Sequence, residues 1–65
     1  NMYLAAEVGD KLVETIHTYN MGYETRVLKM TGQWGWDSVL AVDYANNADQ
    51  ARLNHKYMVE KLKEK

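Results

Sequence analysis

The chain has 65 residues with no cysteine and no proline, and its eight basic and nine acidic residues give a formal charge of -1. A chain this short buries only about 60% of its unfolded surface, and without disulfides or thiolate metal sites its expected source of extra stability is oligomerisation. The near-neutral charge excludes a global attraction to nucleic acid or to an anionic membrane.

The first predicted element is a helical arm over residues 2–31. Apolar residues recur along it at spacings of three and four, which is the period of one helix face. They are Leu4, Val8, Leu12, Ile16, Tyr19, Tyr23, Val27 and Met30. Asn20 and Gly22 have the composition of a helix end, so two interpretations stay open. A continuous or kinked arm is favoured because the stripe keeps its phase, and a break at Gly22 is the alternative.

A glycine-rich turn is predicted over residues 32–36, and it contains both tryptophans of the chain, Trp34 and Trp36. Folding the chain back at this turn places Val27 beside Leu40. Two roles stay open for the indoles. They can cap the end of a helical bundle, or they can anchor a partner protein, since tryptophan is enriched in interface hot spots.

The second predicted helical arm covers residues 37–65 and begins at Asp37 and Ser38, whose side-chain oxygens suit the N-cap position. Its apolar residues have the heptad spacing of coiled coils and bundles. This seam consists of Leu40, Tyr44, Ala48, Ala51, His55, Met58 and Leu62. The predicted fold class is therefore all-α, with residues 1–65 forming one domain, a long antiparallel helical hairpin.

Both arms carry apolar residues outside these seams, and two helices cannot cover them all. We therefore expect the hairpin to dimerise into a four-helix bundle, with a hetero-partner or a compact three-helix monomer as alternatives. The expected function is a small oligomeric protein–protein interaction module, an adaptor, inhibitor or regulator, with no catalytic activity and no cofactor. Its candidate contact residues are Trp34, Trp36, Val42, Leu53 and Tyr57.

A nucleic-acid-binding dimeric regulator is the first alternative function. It would use the basic residues Arg26, Lys29, Arg52 and Lys56. Small dimeric helical repressors can hold RNA along one face of a bundle, but this analogy concerns the fold alone. Nucleic acid is therefore a possible partner, ranked below a second copy and a protein partner.

Glu14 and His17 form a Glu-x-x-His pair, the spacing with which helical carboxylate bundles hold iron or manganese. The pair resembles one element of the ferritin-like motif, which implies a half-ferritin-like metal-binding bundle as a weak alternative. On a helix, both side chains would point away from the main apolar stripe. A solvated face without bound metal is therefore the expected interpretation.

His55 lies on the predicted seam of the second arm. A polar seam residue commonly sets the register of a bundle, and this is the favoured role. The alternative is an assembly that depends on pH, because protonating a buried imidazole is costly. No segment approaches the ~18 apolar residues of a membrane span, and we expect a cytoplasmic protein without membrane contact.

Overall fold

In a computed structural model, which describes residues 2–32 and 35–64 and the side chains of residues 2–29 and 39–64, the chain has an α+β fold. Four strands form one antiparallel sheet in the order of the chain, and a helix follows them. The strands are β1 (Tyr3–Val8), β2 (Lys11–His17), β3 (Tyr23–Gly32) and β4 (Gly35–Ala45), and the helix is α1 (Ala48–Lys63).

The predicted all-α hairpin and its four-helix bundle are wrong, because residues 2–31 form strands and helix begins only at Ala48. The error comes from the spacing of the first apolar stripe. Its first four members are Leu4, Val8, Leu12 and Ile16. They lie four residues apart, which is about one helical turn but also two repeats of a strand. From Tyr23 to Val27, aromatic or β-branched residues alternate with charged ones, a pattern typical of a half-buried strand.

Two glycines close the first two strand connections. Gly9 and Asp10 form a two-residue turn between β1 and β2, and the φ of 62° at Gly9 suits the first central position of a type II′ hairpin turn. Between β2 and β3, the Thr18 backbone N–H and hydroxyl both donate to the Gly22 carbonyl, at 2.7 and 2.8 Å. Gly22 has a φ of 75° and is the last residue of this connection, directly before β3. It therefore neither kinks nor breaks a helix, and both interpretations of the first arm are wrong.

The chain does reverse direction at the predicted place, but as a β-hairpin. β3 and β4 pair antiparallel, and the last pair before the turn joins Gly32 to Gly35. Val27 lies opposite Ala41, one residue away from the predicted partner Leu40. The register shifts at several places along this hairpin, so the outer strand carries bulges that locally increase its twist.

α1 packs across one face of the sheet, which we call the covered face. The helix is capped by Asn47, whose side-chain oxygen accepts a 2.8 Å hydrogen bond from the Gln50 backbone N–H. The predicted N-cap residues Asp37 and Ser38 lie instead within β4. Within α1, the predicted seam forms the inner side of the helix. Its members there are Ala51, which is fully buried, and the half-buried Ala48, His55, Met58 and Leu62.

The core beneath α1 combines apolar side chains with a short polar line. Val13 and Val27 are buried opposite each other on β2 and β3, beside the equally buried pair Thr15 and Thr25. The Thr15 hydroxyl lies 2.7 Å from the Thr25 hydroxyl and 2.9 Å from Nδ1 of His55. The hydroxyl of Thr15 therefore joins the sheet to the helix, and each buried polar atom of the line has a partner.

Burial lowers the pKa of His55 below its ordinary value of 6.5. Because the unfolded chain binds this proton more tightly, stability is complete above about pH 6.5 and is lost as the pH falls from there through the folded pKa. We therefore expect the free energy of unfolding to decrease as the pH falls below about 6.5. Urea unfolding at a series of pH values measures this decrease, and His55→Gln is expected to reduce it.

The matched control for this prediction is the second histidine of the chain. His17 stacks on Tyr23 with ring centroids 4.3 Å apart, at an exposed end of β2. His17→Gln is expected to keep the acid-side loss of stability. If the loss persists unchanged in His55→Gln, another group is its source.

Candidate interaction surface

The face of the sheet opposite α1 is not covered by any element of the described chain, and we call it the open face. Side chains alternate between the two faces of a strand, and directly paired residues of neighbouring strands share a face. The register therefore assigns to the open face Tyr3, Ala5, Glu7, Leu12, Glu14, Ile16, Glu24, Arg26, Leu28, Val39, Val42 and Tyr44.

A cluster of paired charges lies at the centre of the open face. The Arg26 Nη2 donates to Oε1 of Glu14, the Arg26 Nε lies 3.8 Å from Oε2 of Glu24, and the Tyr3 hydroxyl donates to Oε2 of Glu14 at 2.9 Å. The hydrogen bond to Glu14 raises the pKa of Tyr3, so the phenol stays protonated and remains a donor. This surface therefore holds its charges in a defined arrangement.

The charged cluster is partly removed from water. The side chains of Glu14, Glu24 and Arg26 are 14%, 21% and 34% exposed. Among the described residues, the buried Arg26 Nε has no hydrogen-bond partner. Such a cluster has already lost part of its hydration, so covering it further removes less bound water than covering isolated exposed charges.

Apolar side chains surround this cluster. Tyr3, Val42 and Tyr44 are each more than two-fifths exposed, Leu12 and Ile16 are half-buried, and Leu28 is buried. Soluble monomers rarely expose large contiguous apolar patches, and such patches mark interaction sites. The open face therefore has the chemistry of an interface, with aromatic and aliphatic residues around paired charges.

The outer side of α1 is a second exposed surface with apolar character. Leu53 and Tyr57 are each 60% exposed, one helical turn apart and on the side away from the sheet. They line a shallow groove with Gln50, Asn54, Lys56 and Glu60. The Lys61 ammonium lies 5.8 Å from the ring centroid of Tyr57, within the range of a cation–π contact.

The predicted contact residues divide between these surfaces. Val42 lies on the open face, whereas Leu53 and Tyr57 lie on the outer side of α1. Trp34 lies outside the described residues, and the side chain of Trp36 lies outside the described side chains. The two tryptophan roles, bundle cap and partner anchor, are therefore not tested, although the described residues form no helical bundle for them to cap.

The positions of Tyr3, Glu14 and Tyr44 on the open face differ from those predicted from the sequence. The signal that could have found them is the period of two, which puts Glu24 and Arg26 on one side of β3. The pairing of Arg26 with Glu14 additionally requires the register of β2 on β3. That register follows from the connection closed at Gly22.

The four basic residues of the nucleic-acid alternative are not brought together. Arg26 lies on the open face and is paired with Glu14, whereas Arg52 and Lys56 lie on α1, which packs on the other side of the sheet. Lys29 lies near the far end of the sheet, opposite Lys11. The alternative stays a prediction without a continuous basic surface among the described residues.

The structure does not bring Glu14 and His17 together. Their spacing of three places them on opposite faces of β2, with Glu14 paired to Arg26 and His17 stacked on Tyr23. Across the described part of the chain, no three His, Asp or Glu side chains are close enough to share a metal ion. The half-ferritin-like interpretation fails because its spacing has meaning only on a helix.

Within residues 2–32 and 35–64, no helix has both the length and the apolar composition needed to cross a membrane. The cytoplasmic location stays a prediction. The chain matches no family model, no curated protein and no solved structure.

Proposed function

We propose that this protein is a non-catalytic protein–protein interaction module that self-associates through its open face. The central observation is the pair formed by Glu14 and Arg26, which lies on an exposed sheet face and is nevertheless partly desolvated. The exposed Val42 and Tyr44 lie beside this pair and offer apolar area for burial. A centre of preformed charge pairs within an apolar surround supports specific rather than indiscriminate contact.

Two-dimensional NMR of the whole chain on dilution tests this proposal. Between about 1 mM and about 10 µM, a range that covers weak specific association, we expect amide resonances of Val42, Tyr44 and their neighbours to shift. Tyr19 provides the internal control, because it is fully exposed in the connection between β2 and β3 and lies on neither surface.

A substitution extends the same experiment. Val42→Glu adds a carboxylate to the open face and is expected to abolish the concentration-dependent shifts, whereas Tyr19→Glu should leave them in place. Resonances that do not move on dilution in the unmodified protein, or that move equally in Val42→Glu, would contradict self-association through the open face.

A further inference from the structure

The open face and the helix carry opposite formal charges. On the open face, Glu7, Glu14 and Glu24 outnumber Arg26, which gives a formal charge of about -2 at neutral pH. Along α1, the four basic residues outnumber the two acidic ones and give about +2 with His55 neutral. The basic residues are Arg52, Lys56, Lys61 and Lys63, and the acidic ones are Asp49 and Glu60.

We infer that the open face of one copy receives the outer side of α1 from a second copy, so that the copies associate head to tail. This inference rests on the proposed self-association and names the surface that meets the open face. Leu53 and Tyr57 of one copy would pack on Val42 and Tyr44 of the next. The acidic residues of the open face would lie beside the basic residues of the helix.

The dimensions of the two surfaces agree. A helix of 16 residues is about 24 Å long. Four strands at about 4.8 Å spacing form a face some 15–20 Å wide. On the covered face the sheet already accommodates one helix of this length. A single helix on one sheet face makes an interface at the small end of the known range, so we expect weak association with a dissociation constant of about 10 µM or above.

Two other ways of joining copies are disfavoured. Stacking open face on open face would bring two surfaces of like charge together, and like charges across an interface are unfavourable. Pairing along the edge of β4 is hindered near its end, where the Tyr44 backbone N–H donates to Asp43 and the Tyr44 carbonyl accepts from Asn54. The bulges of β4 disfavour edge pairing further.

Complementary variants test the head-to-tail contact. Val42→Glu disables the open face and leaves the helix intact, whereas Leu53→Glu disables the helix and leaves the open face intact. Both positions are exposed, and circular dichroism checks that each variant keeps its fold. Light scattering should show the unmodified protein growing beyond the 7.6 kDa monomer with concentration, and each variant alone remaining a monomer.

The decisive sample is an equimolar mixture of the two variants. Each contributes one intact surface, so the mixture should reach twice the 7.6 kDa monomer mass and stop there, and added salt should weaken it. If Leu53→Glu alone still assembles like the unmodified protein, the head-to-tail inference fails while the proposed function stands. A mixture that stays monomeric also overturns the inference, and an unmodified protein that never exceeds monomer mass overturns both.

Discussion

Replacing Gly22 by alanine is expected to lower the free energy of unfolding by about 3 kcal/mol, because it combines a backbone penalty with a steric one. Gly22 has a φ of 75°, in the left-handed region where a side chain costs about 1–2 kcal/mol. A Cβ at this position would also lie 2.5 Å from the Ala45 carbonyl oxygen, so the connection must move away from the end of β4. Urea unfolding measures the loss.

Gly9→Ala is the matched control for this experiment. Gly9 has a similar φ of 62°, but a Cβ there would meet nothing within 4 Å. We therefore expect the backbone penalty alone, about 1 kcal/mol. Equal losses in the two variants would contradict the steric contribution, because they would show that the backbone near Gly22 and Ala45 can move apart without a cost in stability. A domain of this length has a total stability of about 3–10 kcal/mol, so the Gly22 variant should lose at least about a third of it.

Part of the fold was predictable from the sequence. The reversal between residues 32 and 36 follows from its glycines, and the helix after Ala48 follows from a heptad seam whose inner members do contact the sheet. The fold class was not predictable from the apolar spacing of the first arm, because a spacing of four satisfies a helix and a strand alike. The turn signal Gly9-Asp10 was the feature that could have separated them.

The candidate surface was less predictable than the fold. Val42, Leu53 and Tyr57 were identified as exposed apolar residues because they lie outside the predicted seams, and each is exposed. The cluster of Tyr3, Glu14 and Arg26 depends on the pairing of three strands, which fixes which residues face one another across the sheet. Side chains that are distant in sequence and adjacent only through strand register leave no periodic signal in a single chain.

Removing the hydroxyl of Thr15 should have the second large effect, because Thr15 is the centre of the polar line beneath α1. Thr15→Val keeps the shape of the side chain but leaves the Thr25 hydroxyl and the His55 Nδ1 without their shared partner. An unpaired buried polar group costs about 1–3 kcal/mol, and we expect a loss of about 2 kcal/mol in the free energy of unfolding.

Thr25→Val is the matched control, because it also removes one buried hydroxyl but leaves the contact between Thr15 and His55 in place. Thr25 is 1% exposed and bonds to Thr15 through its hydroxyl, whereas Thr15 would keep His55 as a partner in this variant. We therefore expect a smaller loss, about 1 kcal/mol, and a double variant less destabilised than the sum of the two. Because each hydroxyl satisfies the other, removing both leaves only the His55 Nδ1 without its Thr15 partner. If the two single variants lost equal stability and the double variant lost their sum, Thr15 would not be the residue that joins the helix to the sheet.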